Sequence, residues 1–190
     1  MSEYFFPYFG PLITKISITK EQIKDIKKLC NKKISYHKNL AGHIKDEYII
    51  DFKKYNTIIQ PQLKTFKEVY KNFYATELES IKTKSAWVNY MRPGDFNPPH
   101  THTNCRFSSV AFLQFPKEIL KENKQHQGTS KGPGALQFMY GESQLQDNIN
   151  SYTIIPEEGD MFIFPSFVTH FVYPFKSKNV ERISIAANFD

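Results

Sequence analysis

The sequence predicts an α+β protein, mainly β, in which N-terminal helices pack on a C-terminal antiparallel sandwich or barrel. Three observations carry this expectation. The two segments with a helical apolar period both lie before residue 80. From residue 82 onward, short β-branched and aromatic runs recur between turn residues. The composition is 15% aromatic, with 17 Phe and 11 Tyr among 190 residues, which favours a sheet-rich interior over a helical bundle. The length suits one domain spanning 1–190, with 1–80 supplying a strand and helices and 81–190 the barrel.

Tyr4–Ile18 is aromatic, is interrupted by Pro7 and Pro11, and ends in the alternating run Ile13-Thr-Lys-Ile-Ser-Ile18, which reads as an edge strand. Thr19 and Gln22 have the spacing of a capping box. Ile23, Ile26, Leu29 and Cys30 then form an apolar stripe, so a helix is expected to about Lys33. Ile34–Phe52 has weak periodicity and reads as a loop. Pro61 marks the start of a second helix, whose face is Leu63, Phe66, Val69, Tyr70 and Phe73, running to about Leu78. Strands are expected at Ser85–Tyr90, Ser108–Phe115, Ala135–Tyr140, Ser151–Ile155, Asp160–Phe164, Val168–Pro174 and Ile183–Phe189. Glu118–Gly134 reads as a polar loop.

The chemistry concentrates in Gly94–His102, Gly-Asp-Phe-Asn-Pro-Pro-His-Thr-His, and in its echo from Gly159 to His170. Residues two apart on an extended segment share a face, so His100 and His102 form a pair of candidate metal ligands. His170 is the third. A symmetric hairpin about Lys176 sets His170 opposite Arg182 and puts Arg182, Ser184 and Ala186 on the side of the metal, with Ile183, Ile185 and Phe189 on the other. A guanidinium beside a metal implies a metal-chelating acid, whose carboxylate it grips bidentately while Ser184 adds a hydrogen bond. Alone, His-x-His is a weak signal, His170 among aromatics reads as a packed core residue, and Arg182 could pair with Glu181 or Asp160. The conjunction points to a site. Asp95 and Asp160 adjoin glycines and read as turn residues.

Other classes find less support. The formal net charge is +6, but the lysines are spread through Ile16–Lys84 on solvated faces and no nucleic-acid motif occurs, so nucleic acid is not expected as a partner. Cys30 and Cys105 are too few for a disulfide framework. Met1-Ser-Glu-Tyr-Phe-Phe-Pro7 has neither a basic nor a long apolar region, so a signal peptide is not expected. No run approaches a membrane span. A cytoplasmic location is expected.

At these residues the chain resembles the iron(II)/2-oxoglutarate-dependent oxygenases, specifically a prolyl-hydroxylase-like group common in marine bacteria and tailed phages. The resemblance rests on Trp87-Val-Asn89, Gly94–His102, Ser109–Leu113, Gly134–Phe138, Pro156–His170 and Arg182–Asn188, with Asn39–Gly42 and Glu47-Tyr48 upstream. It implies a double-stranded β-helix (a jelly-roll or cupin-like barrel), Fe(II) held by His100, His102 and His170, and 2-oxoglutarate anchored by Arg182 and Ser184. It also implies that Tyr90, and with it Asn89, touches the cosubstrate. The implied reaction consumes O2, decarboxylates 2-oxoglutarate to succinate and CO2, and hydroxylates an unactivated C–H of a peptidyl, possibly prolyl, or amino-acid substrate. Substrate selection is expected in Glu118–Gly134 and the N-terminal aromatic strand.

Two departures stand out. His102 occupies the position of the usual carboxylate, so three neutral imidazoles would leave the iron at +2 instead of +1. Ser108-Ser109-Val replaces the more usual Ser-Gly-Val. Two rival readings remain at this point: a cupin-type three-histidine metalloprotein holding Fe or Zn without 2-oxoglutarate, and a non-catalytic jelly-roll binding module. The cupin glutamate is missing from Thr103–Phe107, and Arg182 has no cupin role. Oligomeric state is not legible.

Overall fold

The computed structural model describes residues 10–141 and 149–190. Among these residues ten strands form two antiparallel sheets, with helices against the larger. The strands are β1 (Thr14–Ser17), β2 (Asp46–Ile49), β3 (Thr83–Met91), β4 (Asn97–His100), β5 (Phe107–Gln114), β6 (Leu136–Met139), β7 (Ser151–Ile154), β8 (Asp160–Pro165), β9 (Thr169–Val172) and β10 (Arg182–Phe189). The six-stranded sheet has the order β1-β8-β5-β10-β3-β2, and the four-stranded sheet β4-β9-β6-β7. From β3 to β6, and again from β8 to β10, consecutive strands change sheets, which is the winding of a double-stranded β-helix.

Helix α1 (Lys20–Leu29) begins as expected: Gln22 N–H donates to Thr19 Oγ1 at 3.2 Å, and Thr19 N–H to Gln22 Oε1 at 2.9 Å. Its buried Ile23 and Ile26 meet α2 (Phe52–Ile58) and α3 (Gln60–Tyr74) on the outer face of the six-stranded sheet. Along β5, Ala111 and Leu113 join this outer core while Phe112 points between the sheets. There Phe112 and Phe162 of the larger sheet pack with Phe138 of the smaller. The two cores are thus the two faces of one sheet, as a period of two demands.

The structure corrects several expectations. Ile34–Phe52 contains the edge strand β2 and leads into α2, which Asp51 caps by accepting from the N–H groups of Lys53 and Lys54. Helix α1 stops at Leu29 and α3 at Tyr74, where Ala75 turns left-handed. A fourth helix, α4 (Lys117–Lys124), opens the segment expected to be a loop. Most consequentially, β9 and β10 are not a hairpin: β9 pairs with β4 and β6, and β10 with β3 and β5. The linker between them crosses between sheets and is pinned there. Glu122 of α4 accepts from Lys176 N–H at 2.9 Å, Ser177 N–H at 2.7 Å and Ser177 Oγ–H at 2.6 Å. Tyr4–Phe9 of the proposed N-terminal strand lies outside the described residues; β1 does lie at a sheet edge.

Candidate metal centre and acid-binding pocket

A cavity of about 520 Å³ opens between the sheets, and His100, His102, His170, Asn89, Arg182 and Ser184 all line it. His100 ends β4 directly opposite His170 of β9. His102 lies beyond the strand, positioned by its N–H bond to Ser166 O at 3.0 Å, so the pair converges through the turn after β4 and not along one strand. Ring centroids are 4.3 Å apart for His100–His170, 5.1 Å for His102–His170 and 5.3 Å for His100–His102. One nitrogen from each ring lies within 4.8 Å of the other two.

The hydrogen bonds of these rings select the metal-binding tautomer. His100 Nδ1–H donates to Pro98 O at 2.7 Å, His102 Nδ1–H to Asn188 Oδ1 at 2.8 Å and His170 Nδ1–H to Val168 O at 3.0 Å. Each acceptor holds the proton on Nδ1 and leaves the Nε2 lone pair free, which is the usual outer support of a metal-ligating histidine. Burial beside Trp87, Phe164 and Phe138 disfavours the charged form. The pKa of His100 is lowered, that of His102 falls to about 4 and that of His170 to about 3. Three neutral, oriented imidazoles fit a divalent metal such as iron(II). Among the described residues no carboxylate completes the cluster. Asp95 accepts from Arg92 N–H, and Asp160 pairs with Lys15 and accepts from Glu157 N–H, so both serve turns, as expected.

Arg182 reaches the pocket from β10, on the sheet facing His170. Its face was foreseen, although the hairpin that suggested it does not exist. The residue is 2% exposed. Its Nη1 donates to Gly134 O at 3.3 Å, its guanidinium lies 5.4 Å from the Phe112 ring, and its buried Nε has no partner among the described residues. Burial alone drags its pKa down to about 9. Ser184 lies on the same face, beside Asn89 of β3, whose buried Oδ1 is also unpartnered among the described residues. A guanidinium held dry without a carboxylate partner is arranged to receive an anion.

Tyr90 does not join them. It sits on the opposite face of β3, in the helix-side core, where its hydroxyl donates to Cys30 O at 3.3 Å. Strand alternation sends Trp87 and Asn89 inward and Tyr90 outward. No residue of Glu118–Gly134 lines the cavity; Tyr36–Glu47 does so instead. Asn188 had no role assigned from sequence, yet it orients His102 while also accepting from Ser108 Oγ–H at 3.0 Å.

Fold and cluster together define a metalloprotein of the double-stranded β-helix class. The family described as "Putative 2OG-Fe(II) oxygenase" matches residues 85–188, and the chain belongs to it: it is an iron(II)- and 2-oxoglutarate-dependent oxygenase. A comparison with curated proteins finds no match. Among solved structures, a Pseudomonas putida prolyl-4-hydroxylase superposes with a TM-score of 0.55 at 16% identity, covering 93% of this chain and 91% of that one. The viral collagen prolyl hydroxylase of Paramecium bursaria chlorella virus-1, in complex with 2-oxoglutarate, gives 0.59 at 13% identity, covering 93% and 94%. An oxygenase of the same broad family from Burkholderia pseudomallei gives 0.59 at 11% identity, covering 94% and 84%. At these identities the likeness is one of fold. Family membership answers the non-catalytic reading, and no helix among the described residues is long and apolar enough to cross a membrane.

Proposed function

We propose that the chain hydroxylates an unactivated C–H of a peptidyl, possibly prolyl, or amino-acid substrate. Overall, the substrate C–H, 2-oxoglutarate and O2 become the C–OH, succinate and CO2. His100, His102 and His170 are the proposed metal ligands, and Arg182 with Ser184 the proposed holders of the cosubstrate carboxylate. Iron(II), when bound, supplies the oxidation chemistry that couples O2 to decarboxylation.

The protein's own residues bind, orient and exclude water. Nδ1 acceptors at Pro98, Asn188 and Val168 keep the three Nε2 lone pairs aimed at one point. The planar donors of Arg182 match a carboxylate bidentately, and the Ser184 hydroxyl supplies a further donor on the same face. Leu136, Val172 and Trp87 give the cavity apolar walls, so the charges inside act in a medium poorer in water than the surface. His100, His102 and His170, being neutral, would leave a bound divalent metal at +2, a charge that would strengthen the site's hold on an anionic cosubstrate.

The observation that carries this reading is the buried, carboxylate-free Arg182 in the same cavity as three metal-ready Nε2 atoms. A Zn(II) hydrolase or a 2-oxoglutarate-independent cupin leaves that arginine without a purpose. Calorimetric titration of Mn(II)-loaded protein with 2-oxoglutarate tests it: binding is expected in wild type and absent after Arg182→Met, while metal binding without 2-oxoglutarate affinity would overturn it. The free cysteines Cys30 and Cys105 suit a cytoplasmic setting.

A further inference from the structure

The cavity is polarised. Arg182 marks one part of it, and Glu47 is the one carboxylate among the described residues that line it. Glu47 lies on β2 opposite Asn89 of β3, and Asn89 lies opposite Ser184 of β10, so the three form a row across the sheet on the cavity side. Glu47 is 1% exposed, and its one side-chain hydrogen bond among the described residues is with His37 Nδ1, at 3.3 Å and from a half-exposed ring. Asn89 is likewise buried, with Oδ1 unpartnered. From the other sheet comes Asn97 of β4. Its Oδ1 lies 2.8 Å, and Glu47 Oε1 3.3 Å, from the point a Cβ on Gly42 would occupy. Gly42 thus lets the Asn97 and Glu47 oxygens, one from each sheet, approach its backbone more closely than a Cβ would allow.

We propose that Glu47, Asn89 and Asn97 form a substrate subsite for a protonated amino or guanidino group, making amine-bearing substrates the class this oxygenase acts on. The proposal rests on the oxygenase reading above and deepens it. A carboxylate accepts hydrogen bonds and offers none when ionised, whereas ammonium and guanidinium groups only donate. Asn89 Oδ1 is a buried acceptor without a donor among the described residues, which is costly unless a ligand satisfies it. Burial also holds the Glu47 carboxyl up at about 7, so the single contact with His37 does not compensate for its desolvation. A purely structural residue here could be glutamine, which carries no ionic cost. Charge is also kept apart: Arg182 lies two strands away across the sheet, leaving the acid end free for the substrate.

Paired probes test this by calorimetry on Mn(II)-loaded protein already saturated with 2-oxoglutarate, under anaerobic conditions. One pair is N-acetyl-lysinamide against N-acetyl-norleucinamide, the other prolinamide against N-acetyl-prolinamide. In at least one pair the cationic member is expected to bind about tenfold more tightly or better. Which pair discriminates tells a side-chain amine from a terminal one. The preference should vanish in Glu47→Gln and in Gly42→Ala, whose Cβ would meet Asn97 Oδ1 at 2.8 Å and displace it, at a backbone position without a left-handed φ. Equal or absent binding of both members in both pairs, or a preference that survives Glu47→Gln, overturns the proposal. Failure of 2-oxoglutarate to bind in the first step would instead strike the underlying oxygenase reading.

Discussion

Replacing Arg182 by methionine separates what this residue does for the site from what it costs the fold. The guanidinium is buried, and burial lowers its pKa by more than three decades, to about 9. At about 1.4 kcal/mol per decade, that is ~4–5 kcal/mol of lost solvation. The sign follows from the direction: below pH 9 the residue is charged in both folded and unfolded chains, so the whole penalty is present at pH 7 and is relieved only as pH rises through 9. Methionine keeps an extended side chain against Phe112 and removes the charge. It also removes the 3.3 Å bond to Gly134 O, a long charged bond with a contribution of about 1.5 kcal/mol. The metal- and ligand-free variant should therefore be ~2.5–3.5 kcal/mol more stable than wild type, melting roughly 5–14 °C higher for a chain of this size. Added 2-oxoglutarate should reverse the order: at a thousandfold excess over Kd it stabilises metal-loaded wild type by about 4.1 kcal/mol and the variant not at all. Thermal denaturation with and without ligand reads both effects. A variant that melts at or below wild type when ligand-free would show that Arg182 serves the fold, and the inference from its orphaned donors would fail.

Three further outcomes follow from the same geometry. Asn188→Leu removes the acceptor that orients His102 and should weaken metal binding by about 10–100-fold, whereas Asn188→Asp retains an acceptor and the affinity; competition with a fluorescent chelator measures this, and a leucine variant that binds as tightly as wild type refutes the orienting role. Because folded His102 and His170 resist protonation down to about pH 4 and 3, the unfolded chain takes up protons first below about pH 6.5, and the metal-free protein should lose on the order of several kcal/mol progressively as pH falls towards 4. Urea midpoints recorded in chelator follow that loss, and a midpoint unchanged from pH 7.5 to 4.5 contradicts it. Gly134→Ala places a Cβ 2.5 Å from Ile119 Cγ2 at a φ of +77°, and should cost ~2–3 kcal/mol by denaturant unfolding while displacing the carbonyl that meets Arg182.

The centre was legible because its residues carry their own chemistry. His100, His102, His170, Arg182 and Ser184 stand out by type and spacing, and the alternation along β10 assigns their face without knowledge of the partner strand. What failed was pairing. A nine-residue linker between β9 and β10 has the length of a hairpin loop, and nothing local in Tyr173–Glu181 announces that Glu122, more than fifty positions earlier, fixes it as a crossover. Helix α4 was hidden because its eight residues bury only Ile119 and are followed by Gly128, Gly132 and Gly134, which dominate the reading. Strand β2 is four residues long, begins with two acids and alternates poorly, so Glu47 looked like part of a loop. Only the β2–β3 register brings it beside Asn89. Tyr90 was misplaced for the converse reason: a family likeness suggested its role, while its position one residue after the inward-facing Asn89 sends it to the helices.

The most direct measurement is an anaerobic titration of Fe(II)-loaded protein with 2-oxoglutarate, followed through the weak visible charge-transfer absorption of a chelated complex. Wild type should develop the band, and both His170→Ala and Arg182→Met should lack it. An iron-bound wild type that stays colourless, or a band that persists without Arg182, would contradict the assignment of this cavity as the cosubstrate site.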